Sequence, residues 1–589
     1  MGAILKYIKG YTKRIINGVS IKLAGTIAEL LIPYILEYMI DGIVPKASKS
    51  GTYLPILAWG AVMIVLAITV RYCNITANRM AASVARDSIR AVRHDLFDKT
   101  NSLSGARFDA FTLPSLISRM TSDTYNVQSF IGMIQRIGIR APIMLFGGVL
   151  LTAMMDPVLS IILICMIPFL GIFIFTITRK GVPLYKKVQE KVDRMVCIMR
   201  EDITGIRVVK ALSKTEHEIK RFHSINNELT VQDIKAGATM VAPGPIMNLC
   251  LNIGLTLVVI VGAYRVNSGT MQRGVILAFL TYFNMILMAV MGLNKVFMAY
   301  SKASASAERI EKVMADPEDM PVYKDDKSGV GVPFITFENV SFSYPEEDEN
   351  SGGFTREKCL DNINFTLNKG ESLGIMGSTG CGKTTIINLL MRFYDADEGR
   401  VYVDGKDVRC YDRETLRKKF GVVFQSDTVF ADTLYENINF GRSIEPGRVK
   451  EAAKDAMVAD FIENLDEQYK YKAAIKGANL SGGQKQRVLI ARALAAKPDI
   501  LVFDDSSSAL DYKTDANLRK AINENYEGTT LITVAQRISS VMNMDKIIVL
   551  EDGRMIGYGS HEELKNSCDV YREIYDSQMG AMPALRGRI

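Results

Sequence analysis

A chain of 589 residues is too long for one hydrophobic core and calls for several domains. Its apolar content of 48 % and mean hydropathy of +0.10 are oily for a soluble protein, with the apolar runs gathered in the first 300 residues. The net charge of +7 is modest and no basic cluster with interleaved aromatics occurs, so nucleic acid is excluded as a partner.

The stretch through Arg14 is basic, but no small-residue cleavage site follows the first apolar run, which therefore reads as a retained membrane span. A span needs about 20 mostly apolar residues. Six candidates occur, at 16–44, 54–77, 137–155, 158–177, 241–264 and 275–298. Only Asp156-Pro157 separates the third from the fourth, a tight turn that makes them an antiparallel hairpin.

Ionisable groups inside spans are costly and default to functional roles. Glu29 and Glu37 in the first span and Arg71 in the second qualify, and Asn284 in the sixth adds a polar contact. Met285 and Met288 fall with Met291 and Met298 near one helical face, where flexible thioethers suit many apolar shapes. Packing is the commoner reason for such a stripe. These six residues, Glu29 to Met288, are the candidates for a substrate pathway.

The connectors after the second and fourth spans are long, basic and rich in helix formers. Arg79, Arg86, Arg90, Arg93 and Lys99 lie in one; Arg179, Lys180, Lys186, Lys187, Lys191 and Arg194 lie in the other. The positive-inside bias places both arms and the N-terminus in the cytoplasm. Segments around Ser115–Arg119 and Glu201–Arg207 either dock onto another domain or are plain helix-to-helix loops. Pro317, Pro321 and Pro333 punctuate a junction that closes a membrane domain of 1–325. A strand from Phe334 opens a nucleotide domain of 326–580, leaving a tail of 581–589, and the acidic stretch Glu346–Asn350 reads as a hairpin loop.

In the second domain a strand, Ser372–Met376, runs into Gly377-Ser378-Thr379-Gly380-Cys381-Gly382-Lys383-Thr384, and a helical run begins at Thr385. Strand, glycine loop and helix form the context a phosphate-binding loop requires. Backbone N–H groups would wrap phosphates, Lys383 would neutralise them, and the Thr384 hydroxyl would ligate Mg²⁺. Cys381 reads as a small filler. The eight Cys stand singly with no CxxC pair, so neither zinc nor a disulfide framework is indicated. The apolar strand Ile500–Phe503 ends in Asp504-Asp505, and Leu531–Ala535 runs into Gln536. Asp504 would hold the metal's hydration shell.

Five further elements in this order resemble the ATP-binding cassette family. Tyr344 matches the aromatic that stacks on adenine, and Gln425 the glutamine that touches Mg²⁺ and water. Leu480-Ser481-Gly482-Gly483-Gln484 matches the signature, Ser508–Asp511 the loop after the catalytic carboxylate, and His561 the usual end of the cassette. With six spans ahead of one cassette, the whole chain resembles an ABC exporter half-transporter. The resemblance implies an all-α six-helix transmembrane domain followed by an α/β P-loop NTPase domain, with ATP and Mg²⁺ as cofactors. It also implies a dimer in which each ATP lies between one chain's Gly377–Thr385 and the other chain's Ser481–Gln484.

The family pattern breaks at the hydrolytic end. Asp505 stands where a Glu general base is expected, Gln536 where a phosphate-sensing His is expected, and Ile475 where exporters carry a Glu upstream of the signature. A shorter acid and an uncharged amide imply a site that binds ATP and cleaves it slowly. The resemblance then implies a heterodimer, whose second half-transporter receives this chain's intact signature. It would export small amphipathic molecules, namely drugs, lipids or peptides, across a bacterial plasma membrane, with the cassette in the cytoplasm. A slow homodimer and an ATP-gated regulator or channel of the same fold are the alternatives.

Overall fold

A computed structural model describes residues 2–316, 320–324, 333–344, 346–347, 354–355, 358–426, 428–506 and 510–579. The chain divides into two compact units, one of Met1–Asn101 with Pro114–Asp316 and one of Ser102–Leu113 with Pro317–Ile589. The expected boundary at 325 and the tail 581–589 lie outside the described residues.

The first unit is helical throughout. In chain order the helices begin with α1 (Gly2–Lys9), α2 (Thr12–Tyr38), α3 (Val44–Ser50) and α4 (Leu54–Ser102). After α5 (Gly105–Phe111), which belongs to the second unit, come α6 (Leu113–Ser118), α7 (Thr124–Met155) and α8 (Pro157–Thr204). The remainder are α9 (Ile206–Ala211), α10 (Thr215–Val241), α11 (Pro243–Asn267) and α12 (Arg273–Met314). Among the described residues, five helical segments are long and apolar enough to cross a membrane: Thr12–Ser50, Leu54–Ser102, Leu113–Met155, Thr215–Asn267 and Arg273–Met314. The expected span 158–177 is represented by a shorter apolar stretch, Pro157–Phe173, at the start of α8.

The basic connectors are continuations of the apolar helices. At a 1.5 Å rise per residue, the 49 residues of α4 extend about 73 Å, well beyond a hydrocarbon core of about 30 Å. Asp156 ends α7 and starts α8 in one residue: its Oδ1 accepts from the N–H groups of Val158 (2.9 Å) and Leu159 (3.0 Å). Pro157 occupies the first helical position, where its missing N–H costs nothing. Arg265 of α11 lies 3.1 Å from Asp156 Oδ2 and holds the hairpin turn to a third helix.

Close helix approach is written into small residues. A Cβ on Gly254 of α11 would come within 2.2 Å of the Phe283 ring on α12. Tyr282, fully buried, donates its hydroxyl to the Leu30 carbonyl at 2.7 Å, satisfying the one polar atom that this aromatic brings inside.

In the second unit β1 (Ile335–Ser343), β2 (Glu346–Glu347), β3 (Phe354–Thr355), β4 (Lys358–Leu367) and β5 (Ser372–Gly377) precede α13 (Lys383–Leu390). The hairpin expected at Glu346–Asn350 is the pair β2–β3, and residues 348–350 lie outside the described set. Next come β6 (Glu398–Val403), β7 (Lys406–Asp407), α14 (Arg413–Lys418), β8 (Phe420–Val423), α15 (Leu434–Asn439), α16 (Pro446–Asp455) and α17 (Ala459–Glu463). The unit ends with α18 (Gly482–Ala495), β9 (Ile500–Asp504), α19 (Tyr512–Asn525), β10 (Thr530–Val534), β11 (Lys546–Glu551), β12 (Arg554–Gly559), α20 (His561–Ser567) and α21 (Asp569–Met579).

Besides the β2–β3 pair, the described residues form two larger sheets, an antiparallel β4-β1-β6-β7 and a six-stranded β12-β11-β5-β10-β9-β8. In the second, β11, β5, β10, β9 and β8 run parallel. Burial on both faces explains the unbroken apolar runs: every residue of β9 is buried. Ligands bind beyond the C-terminal ends of such strands. The glycine loop follows β5, Gln536 follows β10, Asp504-Asp505 closes β9 and Gln425 follows β8, so four neighbouring strands deliver the predicted residues to one edge.

Candidate nucleotide site

The glycine loop is shaped by backbone that other residues resist. Gly377 has φ +150°, and a Cβ there would lie 2.3 Å from the Leu550 carbonyl oxygen. Gly382 (φ +97°) caps α13 and abuts Leu360, so its Cβ would meet that side chain at 2.6 Å. Gly380 faces open space. Lys383 donates Nζ–H to the carbonyls of Gly377 (2.9 Å) and Ser378 (2.7 Å), bending its ammonium over the loop that Thr379 and Cys381 complete. Burial pushes the Cys381 thiol up, as suits an inert filler.

Thr384 Oγ1 donates to Asp504 Oδ2 at 2.9 Å, and Asp504 is only 2 % exposed. Burial raises the Asp504 carboxyl above the ordinary range; the Thr384 hydrogen bond opposes this, and the neighbouring Asp505 charge adds to it. A hydroxyl and a buried carboxylate in contact, beside a lysine and a helix N-terminus, fit Mg²⁺ and nucleotide phosphates. Thr384 and Asp504 would hold the metal directly or through water, and Lys383 would neutralise phosphate oxygens.

Asp505 sits at φ +49°, and its N–H donates to the Val534 carbonyl at 3.0 Å, fixing the carboxylate beside β10. Its Oδ2 accepts from Gln536 Nε2 at 3.2 Å, with Gln425 Nε2 at 3.5 Å. Burial raises its pKa while Lys383 and Arg537 pull it down.

Tyr344 touches Thr385 through its hydroxyl (3.3 Å), accepts from Asn388 Nδ2 (3.2 Å) and meets Phe342 and Tyr394 edge-on. Residues 508 and 509 of the expected Ser508–Asp511 loop lie outside the described residues; Asp511 caps α19. In the signature, Ser481 and Gln484 form a capping box: Ser481 Oγ accepts from the Gln484 N–H (3.3 Å), and Gln484 Oε1 accepts from the Ser481 N–H (2.9 Å). Gly482 begins α18 with nothing within 4 Å of a Cβ placed there. Ile475 is 75 % exposed in the turn before it. His561 at the start of α20 pairs with Tyr571 of α21 at 2.7 Å.

The second unit contains a segment that sequence reasoning placed elsewhere. Residues 102–113, not 115–119, pack against the cassette. Asp109 of α5 accepts from Tyr394 Oη at 2.5 Å, and Ser102 accepts from Arg413 at 3.1 Å. Ser104 caps the helix by accepting from the Arg107 N–H, and a Ser at the N-cap position is the one local signal for this helix start. The second expected segment is a turn: Gly205 separates α8 from α9, within the first unit.

Of the substrate-pathway candidates, Asn284, Met285 and Met288 line one cavity of about 200 Å³ between α7 and α12. Glu29 reaches it through Arg140, which lines the same cavity. Glu37 lies outside the lining, and Arg71 is exposed on α4. Arg140 was missed although it is an ionisable residue within an expected span, the rule that had found Arg71.

The family pattern for the ABC transporter transmembrane region matches residues 15–290, and that for ABC transporter matches 360–508. The uncharacterized ABC transporter ATP-binding protein YfiB of Bacillus subtilis is 35 % identical, covering 98 % of this chain and 99 % of its own. Rv1273c of Mycobacterium tuberculosis, likewise an uncharacterized ABC transporter ATP-binding protein, is 31 % identical over 98 % of both chains. A solved bacterial Atm1-family ABC exporter with ATP bound superposes with a TM-score of 0.78 at 24 % identity, covering 97 % of this chain and 98 % of that one; at this identity the likeness speaks to the fold.

Proposed function

We propose that this chain, which belongs to the ABC transporter family, is the slow-hydrolysing half of a heterodimeric exporter. As a family member it is a transporter ATPase with a helical membrane region and an α/β nucleotide-binding domain. The finer reading concerns which site does the work. ATP bound with Mg²⁺ supplies the phosphoanhydride whose cleavage resets the transporter.

The chain's own residues divide into those that hold and those that fire. Lys383, Thr384 and Asp504 are complete for holding. The observation that carries the reading is the 3.2 Å contact between Gln536 and Asp505. A neutral amide and a carboxylate one methylene shorter than Glu occupy the two positions that would orient and deprotonate the attacking water. Losing a positioned general base costs about 10²–10⁴-fold. The signature is intact, and its capped helix offers N–H groups to a phosphate held by a second half-transporter.

Six spans carrying small amphipathic substrates outward, and a cassette facing the cytoplasm of a bacterial cell, complete the proposal. The second reading is a slow symmetric homodimer, favoured by the coexistence of a whole phosphate loop and a whole signature in one chain. The test is ATP turnover of the full chain alone in lipid nanodiscs, beside nucleotide binding on the same sample. Binding without appreciable turnover supports the proposal; brisk, cooperative hydrolysis overturns it.

A further inference from the structure

Arg140 of α7 grips Glu29 of α2 by one edge, with Nη2 2.7 Å from Oε1 and Nε 3.2 Å from Oε2. A guanidinium used this way keeps a further donor nitrogen. No partner for Arg140 Nη1 occurs among the described residues, and Arg140 is a wall residue of the cavity between α7 and α12. Its side chain is 43 % exposed, against 22 % for Glu29.

Two more cations adjoin this pair. Lys22, about two turns from Glu29 along α2, is 4 % exposed, and among the described residues its ammonium bonds only to the amide oxygens of Asn74 (2.7 Å) and Asn78 (3.3 Å). It lies within electrostatic reach of Arg136, Arg140 and Glu29. Arg136, one turn from Arg140, spends its Nε–H on its own helix at the Gly132 carbonyl, 2.9 Å away. Three cations face one carboxylate, and among the described residues no second acid pairs with Lys22 or Arg136. The surplus is two positive charges in a segment where every charge is costly. The rest of the cavity is apolar and adaptable: Ile137, Met144, Met285 and Met288, with the Asn284 amide at its edge.

We propose that this cavity binds an amphiphile with a carboxylate or phosphate head, seated on the open end of Arg140, and an apolar body among the methionines. The inference rests on the exporter reading and names the substrate class for it. Glu29 then has a definite role: it holds the guanidinium at the cavity wall and competes with the incoming anion for it.

The experiment uses the full chain in phosphatidylcholine nanodiscs and the fluorescent probe 11-(dansylamino)undecanoate, with its uncharged methyl ester as control. The carboxylate is expected to bind about tenfold more tightly than the ester, the scale of one charge-assisted hydrogen bond. R140Q is expected to abolish that preference while still binding the ester, and E29Q to increase it several-fold. A role confined to helix packing would make E29Q weaken both probes. Equal binding of the two probes by the wild type, an unchanged preference in R140Q, or a loss of preference in E29Q overturns the proposal. Should R140Q fail to fold, E29Q decides alone. Nanodiscs containing phosphatidylglycerol separate the sources: displacement of the probe identifies a membrane lipid head, and its retention identifies a freely diffusing amphiphile. ATP binding by the same wild-type sample keeps the two readings apart, since loss of it would sink the exporter reading and its presence without charge preference would sink only this one.

Discussion

Gln536 donates its Nε2–H to Asp505 Oδ2 across 3.2 Å, although the two residues end different strands, β10 and β9. Gln425 approaches the same oxygen at 3.5 Å from the end of β8. Two neutral amides thus converge on a carboxylate oxygen that a phosphate-poised water would need. The pair is geometrically settled, and on the proposed reading it is chemically weak, because an amide can hold the acid but carries no charge to share with a γ-phosphate.

Restoring both groups should therefore restore chemistry. D505E combined with Q536H is expected to raise ATP turnover of the chain alone by about 10²-fold, measured as phosphate release at saturating nucleotide. Either single change is expected to deliver much less, since groups that act as a unit fail together. A double variant no faster than the wild type would place the defect elsewhere.

Asp504 gives a pH signature. Burial raises its folded pKa above the unfolded value of about 3.9. The associated stability is fully present below that unfolded value and is lost as pH rises through the folded one. D504N cannot ionise, so at pH 7 it is expected to melt above the wild type without nucleotide. The gap should close near pH 4. Mg²⁺-dependent stabilisation by ATP should disappear in the same variant, because the metal loses its anchoring carboxylate. Thermal scans at the two pH values, with and without nucleotide, read both effects.

The contact between Asp109 and Tyr394 ties α5 to the cassette, and Tyr394 in turn lies edge-on to Tyr344, 5.2 Å between centroids. Y394F keeps the ring and removes the hydroxyl. Hydrogen exchange over residues 104–112 is expected to quicken about tenfold, the loss of one hydrogen bond to a charged acceptor. Unchanged exchange would show that the Arg413 contact and packing against Gly105 hold α5 unaided.

Asp123 is 2 % exposed at the start of α7 and accepts from Arg309 Nε (2.8 Å) and Ser306 Oγ (2.8 Å) on α12. D123A strands that arginine and serine, and is expected to cost about 2 kcal/mol, tempered because Arg309 is half-exposed. The check is the thermal midpoint of the detergent-solubilised chain. R309A should cost as much, and the double variant little more than either single one.

Legibility followed the range of the interaction. The phosphate loop and the signature are contiguous motifs, because backbone amides at a helix start bind phosphate only when particular residues follow one another, and positions 505 and 536 each end a short apolar run. The helical arms were readable for a similar reason: apolar and helix-forming periodicity simply continues through α4 and α8. Docking of residues 102–113 was not, since its evidence is a tyrosine nearly 300 positions away that accepts no local explanation.

The sequence by itself determined which residues stand in the phosphate loop, in the signature and at positions 505 and 536, since those depend on residue identity at fixed local spacing. Only the tertiary structure decided which charges share a neighbourhood. Glu29 and Arg140 are 111 residues apart, and Lys22 and Asn74 are 52 apart. Helix packing sets those meetings through small residues and buried rings, and a one-dimensional pattern contains no term for which faces will touch.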